Sequence, residues 1–141
     1  MAFGSMLAST GIINYMVALV SVPAALLVVA TLYANNVRDI KRDRGKDAYT
    51  LAVMLSRNAK WLYVALLLGT YVVQAILILL NLLPIYTAIT IVLTLLMAQM
   101  LRMAVNNSFE HLDEETSLYS LAYAALLIVG VDNYVLILNK I

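Results

Sequence analysis

Three long stretches of this chain carry no charged side chain, and they limit what it can fold into. They cover residues 1–37, 61–101 and 116–131 of a 141-residue sequence that is 64% hydrophobic. A helix needs about 20 apolar residues to cross the hydrocarbon core of a bilayer, and continuous apolar runs favour helices over the alternating strands of a barrel. The sequence therefore predicts an all-α, polytopic membrane protein and excludes an ordinary water-soluble domain.

The same stretches predict four transmembrane helices in a single membrane unit over residues 1–141. The uncharged stretch 61–101 is long enough for two spans, and Asn81 to Pro84 supplies turn-forming residues between them. Pro23 is expected to kink the first helix because it lacks a backbone N–H. The predicted helices cover about residues 11–35, 61–80, 85–102 and 116–135, with a motif loop at 36–60 and a second loop at 103–115.

Basic residues are distributed unequally between the two sides of this topology. Eight of the nine Lys and Arg residues fall in or beside the loops at 36–60 and 103–115, and Lys140 falls on the other side. The positive-inside rule places these loops in the cytoplasm, so we expect an inner (plasma) membrane protein whose motif loop faces the cytoplasm. The net charge of +1 predicts no nucleic-acid partner, and the absence of cysteine excludes thiolate metal sites.

The charged junction after the first helix holds the residues best suited to chemistry. If the helix continues, Asn36, Asp39 and Asp43 lie along one face. Two carboxylates and an amide suit Mg²⁺, which commonly shares its coordination with substrate phosphates. An alternative is a solvated loop whose charges only set topology. The flanking cations able to neutralise phosphate oxygens are Arg38, Arg42 and Lys46.

Two smaller expectations concern the loops. Gly45 is expected to close the first helix as its C′ residue, so that the chain turns back across the cytoplasmic surface. The second loop holds the single histidine among carboxylates, and we expect it to be a solvated loop rather than a metal site. Its charged residues are Glu110, His111, Asp113, Glu114 and Glu115.

The junction resembles a known motif. Residues 35–52 read NNVRDIKRDRGKDAYTLA, which is similar to the second aspartate-rich motif of the UbiA-type intramembrane prenyltransferases. The 1,4-dihydroxy-2-naphthoate polyprenyltransferases of menaquinone synthesis have the form NN-hydrophobic-RD-x-x-x-D followed by GK and TLA. The stretches Phe3-Gly4, Ser21 to Pro23 and Ala59 to Tyr63 are similar too. Residues 47–49 depart from the pattern, since a shorter spacing between GK and TLA is expected.

The resemblance implies a fold and a reaction. These enzymes have nine helices, and this chain resembles helices six to nine, a C-terminal half that lacks the first motif, NDxxDxxxD. The implied reaction is Mg²⁺-dependent transfer of a polyprenyl group from polyprenyl diphosphate to an aromatic acceptor, here 1,4-dihydroxy-2-naphthoate. By this resemblance Asp39 and Asp43 hold Mg²⁺ with support from Asn36. Arg38 and Lys46 contact the diphosphate, and Arg42 is a weaker candidate for the same role.

The implied partners are polyprenyl diphosphate, the aromatic acceptor, the lipid bilayer and the missing N-terminal half. Because half of the metal ligands are absent, the 141-residue chain alone is expected not to catalyse prenyl transfer. Two alternatives stay open. One is a UbiA-type prenyltransferase with a different acceptor. The other is a non-catalytic four-helix membrane remnant or interaction module that retains the motif without turnover.

Overall fold

The computed structural model describes the backbone of residues 15–138 and the side chains of residues 18–133, apart from that of Arg57. Within this range the chain is helical and has no strand, which confirms the predicted all-α class. The start of the first predicted helix at Gly11 lies outside the described residues. The elements are α1 Tyr15–Val20, α2 Val22–Arg38, α3 Ile40–Arg44, α4 Leu51–Leu55, a 3₁₀ turn Ser56–Asn58, α5 Ala59–Leu79, a 3₁₀ helix Ile85–Leu93 (the 3₁₀ segment), α6 Thr94–Val105 and α7 Leu112–Leu138.

Two helical segments are long and apolar enough to cross a membrane. They are Ala59–Leu79 and Ile85–Val105, each 21 residues long, and 21 residues of α-helix rise about 31 Å, the thickness of a hydrocarbon core. Large apolar side chains also point outward along these segments and along α2 and α7, as the lipid-facing surface of a bundle requires. The count of four spans stays a prediction. Examples of the exposed apolar side chains are Val28, Leu32, Val72, Ile76, Ile91, Val92, Leu118 and Leu121.

The core lies between α2, α5 and α7, whose buried residues recur at intervals of three and four. On α5 the buried positions are three or four residues apart, so that they fall on one face of the helix. The long helix α2 packs against both α5 and α7, and α7 packs against the 3₁₀ segment. The largest fully buried side chains of the three helices are Leu27, Val37, Tyr63, Leu67, Leu112 and Tyr123.

A buried glutamine joins three elements in the interior of the bundle. The Gln74 side chain of α5 is only 3% exposed. Its Nε2 donates to the Thr87 carbonyl oxygen at 2.9 Å, and its Oε1 accepts from Thr90 Oγ1 at 3.0 Å and from the Tyr123 hydroxyl at 2.7 Å. Since hydrocarbon offers no water to satisfy polar groups, these three bonds fix α5, the 3₁₀ segment and α7 to one another.

Two tyrosine hydroxyls extend this network between the same elements. The Tyr71 hydroxyl donates to the Thr90 carbonyl oxygen at 3.0 Å and accepts from the Tyr119 hydroxyl at 2.8 Å. The Tyr71 and Tyr123 rings pack edge to face with centroids 6.0 Å apart. The interior of the bundle therefore contains a connected polar cluster rather than hydrocarbon side chains alone.

The third predicted helix changes type along its length. Residues Ile85–Leu93 form a 3₁₀ helix, and the α-helix starts only at Thr94, so the prediction of one uninterrupted helix over 85–102 misses this change. The buried residues of the 3₁₀ segment, Thr87, Thr90 and Leu93, recur every three positions, which is its natural period. Gly130 of α7 lies so close that a Cβ there would be 2.7 Å from the Thr87 Cα.

The helix that leads to the motif is interrupted near its start. α1 ends at Val20 and α2 begins at Val22, with Ser21 between them and Pro23 in the first turn of α2. Pro23 has no N–H to donate to the backbone carbonyl one turn earlier. The carbonyl left without its helical donor is that of Leu19, and the Ser21 hydroxyl donates to a different one, the Ala18 carbonyl oxygen, at 2.8 Å. The sequence predicts a kink at Pro23 rather than a break, whereas the helix is interrupted at Ser21.

Candidate functional site

Among the described residues, the charged ones other than Asp132 of α7 gather at one end of the bundle, which we call the motif end. α2 ends there at Arg38, α5 begins at Ala59, α6 ends at Val105 and α7 begins at Leu112. The Asn81 turn lies at the opposite end of α5. The predicted motif residues, which come from a single stretch of sequence, therefore lie beside the first turn of α7, about 75 residues further along the chain.

The backbone at the motif end keeps an approximately helical course through Asp39. Asp39 caps α2 with φ −89° and ψ 3°, and its N–H donates to the Asn35 carbonyl at 3.1 Å. The N–H of Asp43 in turn donates to the Asp39 carbonyl at 2.9 Å. Asp39 and Asp43 therefore lie one turn apart, although α2 and α3 are separate helices. Their side chains are 14% and 15% exposed.

A guanidinium group lies beside both carboxylates. Arg42 Nη2 is 2.5 Å from Asp39 Oδ2, and Arg42 Nε is 3.9 Å from Asp43 Oδ1. Two carboxylates one helical turn apart repel each other unless a cation lies between them. In this structure the cation is Arg42, the flanking residue that the family resemblance makes the weaker candidate for contact with the diphosphate.

Arg38 divides its donors among three acceptors. Its Nε lies 3.3 Å from Asp39 Oδ1, its Nη1 donates to Asp113 Oδ2, and its Nη2 donates to Asn35 Oδ1. Arg38 was predicted to contact a diphosphate. In this structure it bridges the motif to α7, and the contact with a diphosphate stays a prediction.

The pKa of the Asp39 carboxyl is lowered from its ordinary value of 3.8. The hydrogen bond from Arg38 is the largest cause, and the positive charges of Arg38, Arg42 and Lys46 act in the same direction. Partial burial opposes them by disfavouring the charged form. Asp39 is therefore a carboxylate at neutral pH, with Arg38 and Arg42 on its two oxygens.

The remaining motif residues lie around this pair. Asn36 is half-buried near the end of α2, and Lys46 is exposed in the turn after α3. Gly45 caps α3 with φ −71°, so it does not use the left-handed conformation expected of a C′ glycine. Asp47 takes that role with φ 53°, within the three residues that depart from the family spacing.

The chemistry of these donors fits one hard divalent cation, with part of its coordination supplied from elsewhere. Asp39 and Asp43 offer carboxylate oxygens, and Asn36 offers an amide oxygen one turn earlier. Within the described residues no group of three or more His, Asp or Glu side chains is close enough to hold a metal ion. Binding of Mg²⁺ by Asp39, Asp43 and Asn36 therefore stays a prediction.

Sequence analysis missed Asp113. It assigned this residue to a solvated loop, whereas the Asp113 side chain is only 17% exposed and pairs with Arg38. Its Oδ1 is buried and has no hydrogen-bond partner among the described residues. The expectation of solvation fits its neighbours, since His111 and Glu114 are both 70% exposed. The sequence feature that could have indicated a partly buried Asp113 is its position directly after Leu112, the first buried residue of α7.

A groove opens beside this ion pair between α2 and α7. Its volume is about 580 Å³, and it leads from the charged residues towards apolar side chains that face outward. Thr31 Oγ1 and Ser120 Oγ, 3.1 Å apart, join the two helices at this level. The groove is lined by Thr31, Leu32, Asn35, Asp113, Glu114, Ser117 and Leu118.

Comparison with known proteins agrees with the motif. A protein of Dictyostelium discoideum named UbiA prenyltransferase domain-containing protein 1 is 43% identical over 53 residues. The aligned part makes up 37% of this chain and only 16% of the relative. No solved structure matches the chain. Residues 1–122 match the UbiA prenyltransferase family, which are membrane-embedded enzymes of prenyl transfer. The chain therefore belongs to the UbiA prenyltransferase family.

Proposed function

We propose that this chain contributes the second aspartate-rich motif to a Mg²⁺-dependent enzyme that transfers a polyprenyl group from polyprenyl diphosphate to an aromatic acceptor. Family membership supports prenyl transfer in general. The NN-hydrophobic-RD form of residues 35–39 favours 1,4-dihydroxy-2-naphthoate as the acceptor, and hence a role in menaquinone biosynthesis. The first motif would come from a second polypeptide segment that carries NDxxDxxxD.

One observation carries the proposal. Asp39 and Asp43 lie one turn apart at the charged end of an apolar bundle, with a guanidinium beside both of them. This arrangement suits a cation between the carboxylates and an anion next to it. Mg²⁺ bound by Asp39, Asp43 and Asn36 would stabilise negative charge on the departing diphosphate.

The basic residues have separate tasks in this proposal. Lys46 is exposed and close enough to lower the pKa of Asp39, so it can approach a phosphate oxygen near the metal. Arg38 lies at the same edge and can share one donor with the diphosphate. Arg42 would have to leave the space between the carboxylates to admit a divalent cation there.

The reaction breaks the bond between the allylic carbon and the diphosphate oxygen, and both electrons leave with the diphosphate. A ring carbon of the acceptor then forms the new carbon–carbon bond, and the ring regains its aromaticity by losing the group that this carbon carried. That group is a proton at a C–H position, or carbon dioxide at the carboxylate-bearing carbon of 1,4-dihydroxy-2-naphthoate. The groove between α2 and α7 runs from Asn35 and Asp113 to Leu32 and Leu118. Such a path suits an isoprenoid whose diphosphate is polar and whose tail is apolar. The site is proposed to face the cytoplasm from the inner membrane.

The test is prenyl transfer by membranes that contain this chain together with a segment that carries the first motif. We expect Mg²⁺-dependent transfer of a labelled prenyl group to 1,4-dihydroxy-2-naphthoate. Asp39→Asn and Asp43→Asn should each lower the rate about 10²-fold or more, because the electrostatic stabilisation of the leaving group is lost. Asp47→Asn is the matched control, since this carboxylate is exposed in the same loop, and it should leave the rate unchanged.

Three results would count against the proposal. Full activity in both aspartate variants would show that the site is elsewhere. Transfer to a different aromatic acceptor only would keep the reaction class and exclude the menaquinone role. No transfer with any acceptor, from an assembled and folded complex, would favour the non-catalytic alternative.

A further inference from the structure

We infer that Asp113 is a positioning residue of the motif: it holds Nη1 of Arg38, so that Arg38 competes less strongly with a cation for the carboxylate of Asp39. The inference rests on the proposed function, because it assigns a role in preparing the proposed metal site. It comes from three features of the Arg38 environment, namely how its donors are divided, how Asp113 is fixed, and how the local charges balance.

The first feature is the division of the Arg38 donors. Arg38 approaches Asp39 through Nε at 3.3 Å and Nη2 at 3.4 Å, longer than the roughly 2.7–2.9 Å of a tight guanidinium–carboxylate bond. Its Nη1 also donates to Asp113 and its Nη2 to Asn35. The donors of Arg38 are therefore shared among three residues, and Asp113 holds one that would otherwise be free to turn towards Asp39.

The second feature is the fixed position of Asp113. Its neighbour Leu112 is fully buried, and so is Thr116 one turn later. Thr116 Oγ1 lies 2.6 Å from the Tyr63 hydroxyl, which ties the first turn of α7 to α5. Because α7 is anchored on both sides of Asp113, the aspartate determines where the long Arg38 side chain ends. Glu114, the next residue, is exposed and makes no contact with Arg38 among the described residues.

The third feature is the local charge. The charges of Asp39, Asp43 and Asp113 are balanced by those of Arg38, Arg42 and Lys46. If the charge on Asp113 is removed, the site carries one net positive charge and Arg38 is free to close on Asp39. Arg42 already occupies Asp39 Oδ2. Two guanidiniums would then compete with a divalent cation for a single carboxylate.

The test measures cation binding by the purified full chain in detergent, so that no turnover is required. Mn²⁺ alone is the probe, because it prefers oxygen ligands as Mg²⁺ does and its free ion gives an EPR signal. We expect wild-type binding that Asp39→Asn abolishes. Asp113→Asn keeps the shape of the side chain and should weaken binding about three- to tenfold, as loss of one charge near the site implies.

Three further variants separate positioning from simpler explanations. Glu114→Gln removes the same charge from the adjacent exposed position and should leave binding unchanged. Arg38→Gln combined with Asp113→Asn removes the competing cation and should restore the wild-type affinity, which repair of a merely structural defect would not do. Asp113→Glu keeps the charge and should bind almost as wild type does, provided that its thermal unfolding midpoint is also unchanged.

Each outcome decides between the two proposals. If Asp39→Asn loses Mn²⁺ but Asp113→Asn binds as wild type does, the metal site stands and the role of Asp113 is refuted. Weakened binding that the double variant does not restore also refutes it. If the wild-type chain binds no Mn²⁺ beyond the level of Asp39→Asn, both the metal site and the role of Asp113 are overturned.

Discussion

Replacing Gln74 by leucine tests whether the buried polar cluster holds the bundle together. Leucine has a similar volume, so the substitution removes hydrogen bonds without opening a large cavity. Three bonds are lost: one to the Thr87 carbonyl, one from the Thr90 hydroxyl and one from the Tyr123 hydroxyl. We expect a folded but clearly less stable chain.

The expected loss of stability depends on how many hydrogen-bonding groups keep a partner after Gln74 is replaced. Interhelical hydrogen bonds in membrane proteins are worth about 0.6 kcal/mol on average and about 1.7 kcal/mol at most, so three bonds contribute about 2 kcal/mol. The Thr90 hydroxyl can still donate to the Thr87 carbonyl at 3.1 Å, whereas the Tyr123 hydroxyl loses its partner. We therefore expect Gln74→Leu to lower the free energy of unfolding by about 2–3 kcal/mol, or the midpoint by roughly 5–10 °C.

The assay is thermal unfolding of the detergent-solubilised chain, followed by helical circular dichroism. Gln99→Leu is the matched control, since Gln99 is exposed on α6, and its midpoint should stay within about 2 °C of wild type. Tyr123→Phe removes one of the three bonds and should fall between the two. Equal midpoints for Gln74→Leu and Gln99→Leu would refute the argument that the cluster stabilises the fold.

Three other predictions follow from close contacts and from charge. Gly130→Ala should destabilise the chain by about 1–3 kcal/mol, because the added Cβ would lie 2.7 Å from the Thr87 Cα of the 3₁₀ segment. Gly69→Ala is the control in the same melting assay and should be tolerated, because its Cβ would lie 3.9 Å from the nearest atom. The chain has no cysteine, so Thr31→Cys and Ser120→Cys together introduce one pair of thiols, at positions whose hydroxyl oxygens lie 3.1 Å apart. After mild oxidation and cleavage between residues 106 and 111, the two pieces should stay joined until reductant is added. Separation without reductant would contradict the packing of α2 on α7. The pKa of Asp39 is lowered from 3.8, so its charged form stabilises the fold above that pH. The difference in melting midpoint between wild type and Asp39→Asn should therefore be constant near neutral pH and vanish as the pH falls through the lowered pKa. A difference that persists in acid would contradict this.

The helical class of the fold could be predicted from the sequence because it depends on local composition. Charge-free stretches of about 20 residues or more have few options in a bilayer. The turn at Asn81 was predictable for the same reason, since its φ of 56° suits asparagine and Pro84 follows it.

The 3₁₀ segment could not be predicted, because its cause lies in other elements. Its Thr87 and Thr90 carbonyls accept hydrogen bonds from Gln74 and Tyr71 of α5. Gly130 of α7 allows the backbone to approach closely. None of these partners is a sequence neighbour of the segment, and its apolar composition is that of an ordinary spanning helix.

Part of the candidate site could be predicted from local sequence, and part depends on contacts between distant helices. The spacing of Asp39 and Asp43 predicts carboxylates one helical turn apart, and the structure places them so. Arg42 comes three residues after Asp39, so the same helical spacing predicts its guanidinium beside that carboxylate. The pairing of Arg38 with Asp113 joins residues 75 positions apart, and it depends on α2 and α7 being neighbours, which no local pattern encodes.

The break at Ser21 gives the helix before the motif a point of weak bending stiffness. α2 rises about 25 Å from Val22 to Arg38, so the break lies far from the carboxylates. A helix that lacks one backbone hydrogen bond bends there at lower cost than elsewhere. We therefore expect bending at Ser21 to change the direction of α1 while the distances of Arg38 and Asp39 from Asp113 stay the same.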